Sequence, residues 1–129
     1  MLFDTTRLLS GHPAGDPDPS LGKKGSTTPQ EGIVAGIDFT SYIGPWGHSF
    51  AANLTPDVTG LGQWTFDMFK KAFTEGKFHA MDNGRPIMPP MPWQNFAHAN
   101  NEDVSMIWAY LRSVKPISNK VPEYIPPTK

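Results

Sequence analysis

The sequence predicts an all-α domain in which long loops carry much of the chain. Two segments, around residues 66–75 and 102–114, place apolar side chains at the three- and four-residue spacing of amphipathic helices. Residues 1–50 show neither a helical nor a strand period, although short extended pieces are expected within 33–39. Glycine and proline account for 12 and 14 of the 129 residues, which limits regular structure elsewhere.

The first predicted helix has clear start and stop signals. Thr65 is of the type that caps a helix N-terminus, and Gly76 is of the type that ends one. Phe66, Phe69 and Phe73 lie between them on one helical face. We therefore expect a helix over about 66–75 with an apolar face made largely of aromatic rings.

The second predicted helix, over about 102–114, begins after Asn100 or Asn101, either of which can cap it. Glu102 and Asp103 fall in the first turn, where the helix dipole favours negative charge, and Pro116 ends the helix. Five apolar residues form its stripe: Val104, Ile107, Trp108, Leu111 and Val114.

Proline-rich segments flank this second helix. Residues 77–95 contain four prolines and are expected to run extended and stiff, and residues 116–129 are expected to form an extended C-terminal tail. Two amphipathic helices are too few to close a core alone. We therefore interpret residues 1–129 as one domain that is incomplete, whose apolar helix faces need a covering segment.

Composition excludes several classes of function. The 11 basic and 12 acidic residues give a formal net charge of −1, which argues against nucleic acid as a partner. The chain has no cysteine, so it forms no disulfide, thiolate metal site or cysteine nucleophile. No apolar run approaches the ~20 residues of a membrane span, and the first residues lack the pattern of a signal peptide.

The segment over residues 84–93, GRPIMPPMPW, is the most informative part of the sequence. It places Met88 and Met91 among prolines that restrict the backbone. A thioether is a soft and weak metal ligand that benefits from being held in place, and methionine opposite histidine on haem iron raises the reduction potential. The alternative is that both methionines fill gaps in the core.

The other polar residues give no catalytic pattern. His12, His48, His79 and His98 lack the spacing of a helical metal motif, so structural or solvent-facing roles are favoured for each. Ser49 follows His48, but no nucleophile-elbow or phosphate-loop motif is present. The sequence therefore predicts no catalytic residue.

Several motifs in order resemble class I cytochrome c domains, in particular bacterial monohaem cytochromes and the cytochrome c subunits of dehydrogenases. The motifs are FAANLTPD at 50–57, TGLGQWT at 59–65, GRP at 84–86, PMPW at 90–93 and IWAYLRS at 107–113. The resemblance extends over about residues 5–122. It implies a loop-rich, all-α cytochrome c-like fold that lacks the N-terminal haem-attachment helix.

The resemblance implies specific haem contacts. Met91 corresponds to the distal axial ligand, with Met88 as the alternative, and Arg85 is implied to meet a haem propionate. Four further residues are implied to line the haem pocket: Asn53, Leu54, Pro56 and Trp64. The stripe of the last helix, with Trp108 and Leu111, is implied to pack on the family's N-terminal helix.

The sequence departs from this family at the attachment site. The family binds haem c through a C-x-x-C-H motif, whereas this chain has no cysteine, so we expect an N-terminal segment to be missing. The resemblance still implies an electron carrier rather than an enzyme, which binds haem c and iron in the periplasm. Its implied partners are a dehydrogenase or another cytochrome, together with the missing segment.

Three alternatives remain at this stage. The chain could bind haem or a metal without covalent links, using Met91 with His12, His48 or His79. It could be a haem-free interaction module that docks through exposed helix faces. It could also be a truncated remnant of a cytochrome c without a stable fold.

Overall fold

The computed structural model describes residues 4–16 and 32–127. Three antiparallel strands come first in the chain, and two helices follow. Their bounds are β1 Val34–Ala35, β2 Ser41–Gly44, β3 Gly47–Phe50, α1 Phe66–Glu75 and α2 Asn101–Ser113. Short 3₁₀ turns lie at Thr5–Arg7, Phe78–Ala80 and Trp93–Phe96.

The prediction of an all-α fold is wrong, because a three-stranded antiparallel sheet in the order β1-β2-β3 makes the chain mixed α and β. The strands are only two to four residues long, too short to produce a visible alternation in the sequence. β2 and β3 form a hairpin whose register runs from Ser41 opposite Phe50 to Gly44 opposite Gly47. Only β1 falls within the region where extended pieces were expected.

Both predicted helices are confirmed. α1 has the expected bounds, with the Thr65 hydroxyl accepting from the Met68 amide and Gly76 in the left-handed conformation (φ 65°). α2 begins and ends one residue earlier than expected, and the Asn100 side chain accepts from the Asp103 amide at 2.8 Å. The capping residues therefore mark three of the four helix ends in the sequence.

An apolar core forms between the two helices. Leu61, Phe69, Val104 and Leu111 are buried there, with Trp108 packed beside them. The Phe69 ring lies 5.3 Å from that of Trp108. The inner faces of α1 and α2 therefore cover each other, and Trp108 and Leu111 find their partners within this chain.

The other buried group is polar and lies between the strands and the C-terminal residues. We call residues 114–127, which follow α2, the C-terminal strap. Asn119 of the strap donates to the carbonyls of Ser10 and His12 at 2.7 and 2.9 Å and accepts from the Ala14 amide. The strap thereby joins the N-terminal loop to the rest of the chain by buried hydrogen bonds.

Candidate functional site

The segment that carries both methionines borders an open cavity of about 420 Å³. Its walls are mostly apolar, and its lining residues are Pro86, Ile87, Pro89, Pro90, Met91, Pro92, Trp93 and Gln94. Met91 is 36% exposed, whereas Met88 is half-buried and does not line the cavity. Of the two methionines, only Met91 therefore lines this space.

The C-terminal end of α1 supports both ends of this segment. The Ile87 amide donates to the Gly76 carbonyl at 2.8 Å. The indole of Trp93 occupies the space that a Cβ atom at Gly76 would need, so a glycine is required at this position for Trp93 to pack so closely. The Trp93 amide donates back to the Met91 carbonyl at 3.0 Å and closes a tight turn that is centred on Pro92 and begins at Met91.

Aromatic rings and one cation form a cluster next to this segment. The Arg85 guanidinium lies 3.6 Å from the centre of the Phe78 ring and 5.0 Å from that of Tyr124. The His79 ring stacks on Phe78 and meets Trp64 edge-on, with centroids 4.0 and 5.9 Å apart. Two of the predicted pocket residues therefore meet the stacked Phe78–His79 pair, Arg85 at Phe78 and Trp64 at His79.

The environment of this cluster disfavours positive charge. Burial lowers the pKa of Arg85, although Tyr124 and Glu123 oppose the shift. Burial also lowers the pKa of His79, and the nearby Arg85 charge lowers it further. The lowered pKa therefore favours the neutral form of the His79 imidazole.

The other three predicted pocket residues lie elsewhere. Asn53 is buried, and its amide nitrogen donates to Thr59 Oγ1 and to the carbonyls of Ile117 and Asn119 at 2.9–3.2 Å. Its oxygen accepts from the amide and hydroxyl of Thr55. The Asn53 side chain is therefore fully engaged within the chain.

Leu54 and Pro56 flank this network and do not line the cavity beside Met91. Leu54 is half-buried and packs against the apolar core, while its amide donates to the Leu9 carbonyl at 2.8 Å. Pro56 is half-buried. The 53–56 stretch thus connects the two buried groups of the chain.

The histidines do not assemble into a metal centre. His12 is 2% exposed, its Nδ1 lies 2.8 Å from Thr40 Oγ1, and its Nε2 lies 3.5 Å from the Asp16 carbonyl oxygen. His48 lies on β3 and exchanges backbone hydrogen bonds with Ile125, and His98 is exposed. Within residues 4–16 and 32–127, no group of three or more His, Asp or Glu side chains could hold a metal ion.

Sequence reasoning missed the role of two residues next to the methionine segment: Ser49 contacts the segment, and Trp46 contacts Ser49. The Trp46 indole nitrogen donates to Ser49 Oγ at 3.0 Å, and Ser49 Oγ donates to the Pro89 carbonyl at 2.5 Å. The only sequence signal was the glycine-flanked turn Gly44-Pro45-Trp46-Gly47, which indicates a close approach of backbone segments.

The chain is similar to components of several bacterial dehydrogenases. It is 35% identical over 79 residues to a component of the nicotinate dehydrogenase of Pseudomonas putida, an overlap of 60% of this chain and 6% of that protein. It is 34% identical over 76 residues to the gluconate 2-dehydrogenase cytochrome c subunit of Pantoea cypripedii, an overlap of 57% of this chain and 17% of that subunit. It is also 31% identical over 90 residues to the cytochrome c subunit of a quinone alcohol dehydrogenase from Gluconacetobacter polyoxogenes, an overlap of 68% of this chain and 18% of that subunit.

The chain spans less than a fifth of the length of these curated relatives. No protein family profile matches it. Within the part of the chain that the structure describes, no helix combines the length and apolar character needed to cross a membrane. The similarity supports a cytochrome c-like domain of the dehydrogenase type.

Proposed function

We propose that this chain is part of an electron-carrying cytochrome c subunit of a dehydrogenase and that Met91 supplies the distal ligand to its haem iron. One observation carries the proposal. Met91 is an exposed residue that lines an open, mostly apolar cavity within a proline-rich segment, in a chain similar to dehydrogenase cytochrome c subunits. The chain itself performs no catalysis in this proposal.

The residues beside the cavity fit the distal side of a haem site. A thioether is a soft ligand suited to haem iron, and the prolines, Ile87 and Trp93 give the open cavity a mostly apolar wall. Haem c, when bound, supplies one-electron oxidation and reduction at the iron. The chain contributes the position of the thioether and the low polarity around it.

The covalent attachment of haem c does not fit this chain. Its two thioether links require cysteines, and this chain has none. In the proposal, the attachment motif and its proximal histidine therefore come from residues outside this sequence.

Two observations support the proposed roles of Met91 and Arg85. Met91 is favoured over Met88, because only Met91 lines the cavity. Arg85 uses one guanidinium nitrogen to donate to the Pro86 carbonyl at 3.2 Å, and no described carboxylate pairs with it. Its remaining donors suit a propionate of the haem edge.

The proposed partner is a dehydrogenase catalytic subunit or a second cytochrome, and the proposed location is the periplasm. Both follow from the resemblance and from the names of the relatives, which include the gluconate and alcohol dehydrogenase cytochrome subunits. In this arrangement the chain passes single electrons from the catalytic subunit to an acceptor.

The proposal is tested by titrating the purified chain with a short haem c peptide. Such a peptide carries both thioether links and the proximal histidine but leaves the distal iron position to water. We expect the ferric complex to become low-spin and to show the weak red absorption of methionine-ligated iron. Met91→Ala should abolish both changes, whereas Met106→Ala, at a 60% exposed methionine on α2, should leave them intact.

The competing ligand is His79. His79 is exposed, and its lowered pKa favours the neutral imidazole that iron ligation requires. If His79 binds the iron, the complex will be low-spin without the red absorption, and His79→Gln will abolish it while Met91→Ala will not. This result would overturn the assignment of Met91.

A further inference from the structure

The β2–β3 hairpin contacts the methionine segment through a short chain of hydrogen bonds. The Trp46 indole N–H donates to Ser49 Oγ at 3.0 Å, and the Ser49 hydroxyl donates to the Pro89 carbonyl oxygen at 2.5 Å. Pro89 stands two residues before Met91. The hairpin therefore holds the backbone immediately before the exposed methionine.

Chemistry fixes the direction of this chain. An indole nitrogen can only donate and a carbonyl oxygen can only accept, so the single Ser49 proton must point toward Pro89. Hydrogen bonds aligned in this way polarise one another, and Ser49 is only 7% exposed, so water competes little with them. Loss of the Trp46 N–H would free the hydroxyl to rotate.

This contact is the one hydrogen bond that ties residues 88–92 to another part of the described chain. Pro89, Pro90 and Pro92 have no amide N–H, and the Trp93 amide bonds to Met91 within the same turn. The supports at Ile87 and Trp93 lie at the two ends of the segment. Among the hydrogen bonds of the described residues, only that from Ser49 joins the middle of the segment to a distant part of the chain.

Close contacts within the hairpin and with the strap fix the position of Trp46. The Trp46 ring lies where a Cβ atom at Gly44 would be, so only glycine allows the ring to fold over the strand. The Tyr124 hydroxyl of the C-terminal strap donates to the Trp46 carbonyl at 2.6 Å. Both the sheet and the strap therefore fix the indole that orients Ser49.

We propose that Trp46 and Ser49 are positioning residues, which hold the backbone before Met91 so that Met91 stays at the cavity. This inference rests on the proposed function, in which Met91 binds the haem iron. The inference concerns the hairpin, which contributes no residue to the cavity lining. It makes the strength of ligation at Met91 depend on a hydroxyl in another part of the fold.

We call the hydrogen bond from Ser49 to the Pro89 carbonyl the brace. Hydrogen exchange of the haem-free chain tests directly whether it holds the methionine segment. The Trp93 amide, which bonds to the Met91 carbonyl, reports on the turn, and the Val104 amide reports on the helical core. We expect Ser49→Ala to lower Trp93 protection by about tenfold, the effect of losing one good buried hydrogen bond, and to leave Val104 unchanged. Ser41→Ala, at a buried serine of β2 with no contact to Pro89, is the matched control and should not affect Trp93.

Trp46→Phe keeps the ring and Ser49 but removes the N–H donor. It should lower Trp93 protection less than Ser49→Ala does, and it replaces that variant if Val104 protection shows that Ser49→Ala has unfolded. Unchanged Trp93 protection in a folded variant would overturn the brace, as would an unprotected Trp93 amide in the parent chain.

A second readout separates a positioning role from a general structural one. In the complex with the haem c peptide, Ser49→Ala should weaken the red methionine–iron absorption and lower the reduction potential, whereas Ser41→Ala should change neither. Failure of Met91→Ala to alter the spectrum would refute the proposed ligand and leave the exchange result intact. A Met91-dependent spectrum that Ser49→Ala does not change would refute the brace alone.

Discussion

The helical half of the molecule and its hairpin half are stabilised by different interactions. Between α1 and α2, burial of Phe69, Val104 and Leu111 supplies the stability, through the hydrophobic effect and close packing. Between the hairpin and the strap, the buried side chains include Asn53 and Asn119, and hydrogen bonds hold them. No buried side-chain polar atom among the described residues lacks a partner.

This difference determines how each half responds to change. An apolar core tolerates a smaller side chain at the cost of a cavity, and the loss spreads through the packing. A buried amide that is removed leaves several backbone groups without partners at once. The methionine segment touches both halves, with Gly76 and Trp93 on the helical side and Ser49 on the hairpin side.

The largest expected effect is on the helical side. Phe69→Ala should lower the free energy of unfolding by about 3–5 kcal/mol, because it leaves a cavity next to Trp108. Denaturant unfolding measures this change. Phe39→Ala, at a ring that is 57% exposed, is the control and should cost under about 1 kcal/mol. Equal losses in the two variants would contradict an apolar core between the helices.

A somewhat smaller effect on stability is expected in the hairpin half. Asn53→Ala should lower the free energy of unfolding by about 2–4 kcal/mol, because the carbonyls of Ile117 and Asn119 lose the Asn53 donor and the Thr55 amide loses its acceptor. Hydrogen exchange should show the loss first at the Asn119 amide and later at Phe69. The exposed Asn95 provides a control, Asn95→Ala, with little effect. Uniform loss of protection would instead mean that both halves unfold as one unit.

The smallest expected effect is a pH dependence from the aromatic cluster. Because burial and Arg85 lower the pKa of His79 in the folded chain, the unfolded chain binds the proton more readily. Stability should therefore fall as the pH drops below about 6.5, the ordinary histidine value, by under about 1 kcal/mol for this half-exposed ring. His79→Gln should remove that part of the slope between pH 7.5 and 5, measured by denaturant unfolding, and an unchanged slope would contradict it. His98→Gln serves as the exposed control.

The sequence was most informative where side chains repeat along a helix. Thr65, Gly76 and Asn100 located helix ends, because caps act on adjacent residues. The hairpin escaped prediction, since strands of four residues owe their existence to pairing and to the close contact of Gly47 with residues 125–127 of the C-terminal strap. These contacts leave no local period.

The same distinction between local patterns and long-range contacts applies to the candidate site. The proline-rich stretch marked Met91 as a constrained residue, and the structure gives it a cavity. The resemblance implied that Asn53 lines a haem pocket. In the structure its side chain donates to carbonyls of the strap, 64 and 66 residues further along the chain. Ser49 had no recognisable motif, because its role depends on a carbonyl 40 residues away.

The proton NMR spectrum of the ferrous complex with the haem c peptide tests the central claim most directly. The ring current of haem shifts the methyl group of an axial methionine far upfield of all other resonances. We predict one such methyl signal in the parent chain and in Met88→Leu, and none in Met91→Leu. An upfield methyl that survives Met91→Leu, or a low-spin complex without any such signal, would contradict Met91 as the ligand.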